Sequence, residues 1–245
     1  MTRPILYLTA SLLAVPLVAC GNAQSERTTV ARDESSTGTS GGDAPPDGDA
    51  ERAEPVVVVM RSTLPVPVPL TAVPRDELSA ELQAVWSRVE EQVADMRPDG
   101  PAEATVENVQ AWADGPFRAW IDGRRLALDE TRPLLAAVGE EPPWERAVAL
   151  ALWAYAFEDF GAQIAGAPVP DSIAQDDELR GIYIESLNEA TVPLGERAVE
   201  LYGLCQQRLV VLGDDSPWLP WRAYCVQRGQ EVIAGYRLAP AADGR

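Results

Sequence analysis

Along the chain, the spacing of apolar and polar positions changes character several times. Ile5 to Ala19 form an uncharged, mainly apolar run interrupted by Pro16. From Gly21 to about Glu54 large apolar residues almost vanish into Ser, Thr, Gly, Asp, Glu and Pro, too little to offset the entropy of ordering, so a disordered tether is expected. Val56 to Met60 would suit a strand, but Pro65, Pro67, Pro69 and Pro74 follow and favour extended or polyproline geometry. That piece reads as a strap on the folded domain or as a docking segment for a partner.

From Asp76 the repeat is helical. Leu78, Leu82, Val85, Trp86, Val89, Val93 and Met96 share one stripe, ended by Pro98-Asp99-Gly100-Pro101. Thr105 is placed to cap the next helix, which carries Val106, Val109 and Trp112 and is expected to stop at Gly115-Pro116. Pro116 then suits the first position of a helix whose inner face is Phe117, Trp120, Ile121 and Leu128, with Pro133 kinking or dividing it. Trp144 to Phe160 is the densest apolar stretch of the helical part; from Ala147 through Phe157 only the Tyr155 hydroxyl is polar, and a helix apolar on every side belongs in the middle of a bundle. Glu158-Asp159 reads as the point where that helix emerges into water. A further helix begins near Asp176-Asp177-Glu178, with Leu179, Ile182, Tyr183 and Leu187 as its buried face and Pro193 as its end. Two last helices fall at about 195–212 and 217–238. The fold class is therefore all-α, a bundle or short helical-repeat array of six to seven helices over residues 76–240, behind a linker at 20–75.

Gly213 to Ser216 is a short turn, so the last two helices should be antiparallel neighbours. Cys205 and Cys225 lie ten residues either side of Asp215, at matching heights, with stripes Ala198, Leu201, Tyr202, Cys205, Leu209 and Trp221, Tyr224, Cys225, Val232 facing. A disulfide between them is expected.

Charge narrows the chemistry. The 245 residues hold 38 acids against 20 basic residues, all arginine, and no histidine. This argues against nucleic acid and anionic lipid surfaces as partners, and removes the commonest metal ligand and neutral-pH base. Neither a metal nor a cofactor is implied, and no catalytic residue is assigned. Trp218 and Trp221, opening a helix beside the turn, are the candidate pair for a binding groove, although tryptophan in a bundle is more often core.

Leu17-Val18-Ala19-Cys20, preceded by Arg3 and the apolar run, resembles the lipobox of a bacterial lipoprotein. The resemblance implies removal of residues 1–19, a diacylglycerol thioether on Cys20 and an acyl (palmitate-type) chain on its new amino group. The bilayer is then a partner through Cys20. Gly21 after the cysteine, where aspartate would favour the inner membrane, implies sorting to the outer membrane if the host has one; the expected side is the periplasm, with surface exposure as the alternative. Ala198-x3-Tyr202-x2-Cys205 resembles the second helix of a tetratricopeptide repeat, where small and aromatic residues permit close packing. What these resemblances imply together is a tethered scaffold for another envelope protein. The competing readings are a hydrolytic or carbohydrate-active protein using carboxylates in a tryptophan-lined cleft, and a structural spacer.

Overall fold

The structure, a computed structural model, describes residues 68–213 and 215–236. All of these residues belong to one compact unit. Cys20, the acidic tether and Val56 to Met60 lie outside the described residues.

The described part is all-α, with no strand among its residues. Helix α1 is Ala80–Ala94, α2 Val106–Trp112, α3 Arg118–Ala137, α4 Pro143–Ala165, the single turn α5 Asp171–Ala174, α6 Asp177–Leu209 and α7 Leu219–Tyr236. Local chemistry starts several of them. Ser79 Oγ accepts from Leu82 N at 3.2 Å and Thr105 Oγ1 from Asn108 N at 3.2 Å, satisfying donors that a helix start leaves open. Asp176 caps α6 by accepting from Glu178 N and Leu179 N at 3.0 and 3.1 Å.

Helix α4 occupies the centre, touching α1, α3, α6 and α7. Every residue from Ala147 to Ala156 is buried, which follows from the absence of any polar face there. The alanines let neighbouring helices approach closely, while Leu152, Trp153 and Phe160 fill the space between them. Polar pins fix the layers. Gln92 of α1 donates to Ala127 O and Thr131 Oγ1 of α3, both at 2.7 Å, and Glu145 of α4 accepts from Ser79 N at 2.9 Å.

Three prolines lie inside continuous helix, although the local pattern predicts that Pro116 and Pro193 end a helix and that Pro133 kinks or divides one. Gly115-Pro116 sits inside a π-helical turn, Ala113–Phe117, that joins α2 to α3 without a break. The wider turn tolerates the missing N–H and the pyrrolidine ring, and stacking of Trp112 on Phe117, with centroids 4.4 Å apart, holds it from both sides. Helix α3 continues through Pro133 to Ala137, with Thr131 and Leu135 buried on either side. Helix α6 runs through Pro193, with Thr191, Gly195 and Ala198 buried around it. An interior proline costs about 3 kcal/mol, and each large apolar side chain buried by continuing returns about 1.5–3 kcal/mol, so tertiary packing overrides the local stop.

Two expected faces and one boundary also differ. Met96 is 62% exposed because α1 ends at Ala94, and Leu179 and Ile182 are 48% and 52% exposed instead of buried. Packing begins earlier than Asp76: Val68 is buried, and Leu70 O accepts from Trp221 Nε1 at 2.9 Å. The end of the proline-rich segment is thus a strap against α7.

Helices α6 and α7 form the antiparallel hairpin implied by their short turn. Cys205 and Cys225 are bonded across it with Cα atoms 6.3 Å apart, and Ala198, Leu201, Tyr202, Leu209, Trp221 and Val232 are buried along the same seam.

Candidate functional site

Of the residues singled out from sequence, Cys20 lies outside the described residues, and Cys205 with Cys225 is covered on all sides. A fully buried disulfide staples the hairpin and offers no sulfur to a substrate. Trp218 and Trp221 are core residues, not a groove. Trp218 stacks on Trp144 with centroids 3.9 Å apart, and Trp221 meets Trp86 and Tyr224 edge-on at 5.9 Å while its N–H is used by Leu70. Neither ring offers an open face.

Glu158 and Asp159 correct the reading that α4 surfaces there, since the helix continues to Ala165 and both carboxylates are largely covered. Adjacent helix positions point about 100° apart, so each serves a different neighbour. Asp159 binds Arg124 Nη2 of α3 at 2.7 Å and accepts from Gln163 Nε2 at 2.8 Å, and Gln163 Oε1 in turn accepts from Arg97 N at 2.7 Å. Arg124, 1% exposed, lies over Trp120 and Phe160 with its carbon 5.7 and 5.6 Å from their centroids. Burial raises the Asp159 carboxyl and lowers the Arg124 guanidinium, the attraction between them opposing both shifts. Glu158 pairs with Arg228 of α7 and accepts from Tyr202 Oη of α6 at 2.9 Å. Burial pushes the Tyr202 phenol well above its ordinary range.

A cavity of about 250 Å³ opens beside this second network, lined by Glu158, Arg228, Glu231 and Tyr236 together with Ala162 and Val232. Arg228 binds both Glu158 and Glu231, so the two carboxylates are engaged by one guanidinium. No tryptophan lines this cavity. Among the described residues no three acidic, cysteine or histidine side chains gather as a cation site requires.

The feature that sequence reasoning misplaced is the first half of α6. Asp177 to Ala190 contains no buried residue, whereas the second half of the same helix carries the hairpin core. Its inner side is tied down, because Tyr183 Oη donates to Pro168 O at 3.1 Å and Asn188 lines a cavity shared with α4 and α7. Leu179, Ile182 and Ile184 remain 48%, 52% and 41% exposed within six residues of one another. Met96, Leu126 and Leu204, also exposed, stand singly in the sequence, and Val210-Val211 sits near the hairpin turn.

At about 100° per residue, Leu179, Ile182 and Ser186 share a sector of roughly 60°. Glu178, Glu185 and Glu189 fall within about 40° of one another, directly beside Ile182. The neighbouring Arg180 is engaged by Asp177 at 2.8 Å, and among the described residues none of these three glutamates makes an ion pair. Some acids elsewhere are matched, as in Arg75–Glu90, Arg88–Glu130 and Arg208–Glu140, while others such as Asp99, Glu103 and Glu107 also stand without an ion pair among the described residues. The open half of α6 is therefore an apolar seam with an uncompensated acidic border. Leu179, Ile182, Tyr183 and Leu187 have the spacing of a core face, and nothing in their order distinguishes a face met by another helix of the same chain from one left open.

Comparison of the chain with protein-family models, with curated proteins and with solved structures yields no match.

Proposed function

We propose that the chain is an envelope lipoprotein, cleaved before Cys20 and acylated there, whose helical domain works as a protein-interaction adaptor on the periplasmic side of the outer membrane. Its working surface is the exposed half of α6. The observation that carries this reading is the Leu179–Ile182 seam, left exposed among the described residues on a helix whose other half carries the hairpin core. Contiguous exposed apolar surface is one mark of contact with a partner. The Glu158 and Asp159 networks support an adaptor over a hydrolase, because their carboxylates are committed to arginines.

The lipobox resemblance supplies the anchor. Each methylene buried in a bilayer contributes about 0.8 kcal/mol, so several acyl chains on one residue hold a protein durably without a spanning helix. None of the described helices is long and apolar enough to cross a membrane. The small–aromatic–small run Ala198, Tyr202, Cys205, all buried, suits the close helix packing on which helical scaffolds depend.

The test is photo-crosslinking in intact cells from a reactive residue at Ile182, with Glu107 on α2 as the control position. Discrete protein adducts from Ile182 and none from Glu107 are expected. Equal labelling from the two, or none from Ile182, contradicts the adaptor reading.

A further inference from the structure

Resting on the adaptor reading, we infer that the partner presents a basic amphipathic helix, which lies along Asp177 to Ala190 with its apolar stripe on Leu179 and Ile182 and its arginines or lysines against Glu178, Glu185 and Glu189. The geometry points to a helix because the open face is itself a helical ridge. At 1.5 Å per residue it is about 21 Å long, room for a partner of three to four turns packed ridge into groove. Ser186, lying in the same sector as Leu179 and Ile182, lowers the ridge there and leaves room for a larger apolar side chain from the partner.

Charge decides which helix fits. Glu178, Glu185 and Glu189 recur at seven- and four-residue spacing along one border, so they form a line parallel to the seam instead of a point cluster. A partner with basic residues at the same spacing meets all three at once, while a second copy of this chain brings three more glutamates and Asp177 to the contact. Like charges brought together across an interface oppose association, so the border selects against self-pairing and for a basic partner. On the opposite side of the seam, Tyr183 is half-buried and tied to Pro168, which leaves the acidic border as the more open flank.

The test uses the purified full chain in zwitterionic nanodiscs, with empty discs as the blank. The probe is a labelled synthetic peptide of about four helical turns, with leucine at i, i+3, i+4 and i+7 and arginine along one flank; a second peptide carries glutamate in place of arginine. Saturable one-to-one binding of the arginine peptide is expected, weakened at least about tenfold by Leu179→Asn with Ile182→Asn. Glu178→Gln, Glu185→Gln and Glu189→Gln together should weaken it about five- to tenfold and flatten its salt dependence. The triple variant Asp99→Asn, Glu103→Gln, Glu107→Gln removes the same charge elsewhere and should bind as the parent does. All of these positions are exposed, so folding is not at stake.

Three outcomes overturn the inference: equal binding of the glutamate peptide, equal loss from the control triple, or self-association of the full chain that Ile182→Asn abolishes. Failure here with adducts still formed from Ile182 in cells removes the basic helix and leaves the adaptor; absence of those adducts removes the adaptor itself.

Discussion

The ring of Tyr236, the last described residue of α7, lies against the backbone of Gly195 in α6, where a β-carbon on the glycine would stand 2.8 Å from ring atoms Cγ and Cδ2. On the far side Gly161 of α4 leaves similar space, since its β-carbon would reach 2.1 Å from the phenol oxygen. Two glycines on two helices thus admit one aromatic wedge that ties three helices together at the end of the hairpin. Gly195→Ala should destabilise the domain by about 1–3 kcal/mol, as overpacking does. Urea unfolding measures it, and the loss should shrink in a Tyr236→Ala background, because the steric conflict has gone.

Much of the architecture is readable in the residue order, and the errors share one physical cause. The α1 stripe, the Thr105 cap, the central α4 and the facing of Cys205 and Cys225 all follow from local periodicity or short-range geometry. Pro116, Pro133 and Pro193 mislead because their local cost is real but smaller than the packing that continues through them. Glu158 and Asp159 look like a helix surfacing because their partners, Arg228 and Arg124, lie 70 and 35 residues away. Leu179 and Ile182 look buried because amphipathic spacing specifies a face and not its occupant. The candidate surface was therefore legible as a stripe but not as an open one.

The buried pair Arg124–Asp159 should respond asymmetrically to its two obvious substitutions. Asp159→Ala leaves a covered guanidinium without its bonded counter-charge and with only the weaker attraction of Asp95, its Nε and Nη1 already lacking hydrogen-bond partners, and should cost about 3–5 kcal/mol. Arg124→Met with Asp159→Leu, which replaces both charges by apolar volume, should cost far less. Denaturant midpoints of the three proteins decide this, and an additive double variant would contradict it.

Tyr202 predicts an alkaline limit. Its phenol, raised by burial, keeps its proton in the folded state at a pH where the unfolded chain, titrating near 10, has lost it. Its contribution is complete below pH 10 and declines above it by about 1.4 kcal/mol per pH unit until the folded-state value is reached. Tyr202→Phe removes the hydrogen bond to Glu158 and should cost about 1.5–3 kcal/mol near neutral pH, while flattening that alkaline slope. Unfolding at pH 8, 10 and 11 separates the two effects.

The Cys205–Cys225 bridge closes a loop of 20 residues, for which the chain-entropy model gives about 3 kcal/mol. Cys205→Ala with Cys225→Ala should lower stability by roughly that amount plus the packing lost on truncation, and leave the helical circular-dichroism spectrum unchanged at room temperature. With both sulfurs covered, reductant should open the bridge in the wild type only as fast as the hairpin itself opens.

Everything proposed about compartment rests on the sulfur of Cys20, and membrane flotation of the full chain beside its Cys20→Ser variant tests it most directly. The account predicts that the wild-type chain floats with the outer-membrane fraction, resists extraction by high salt, and has the intact mass of a polypeptide beginning at residue 20 with acyl chains added. The serine variant should lack the acyl mass altogether. An unmodified Cys20 in membrane-bound wild-type protein, or a wild-type chain recovered wholly in the soluble fraction, contradicts it.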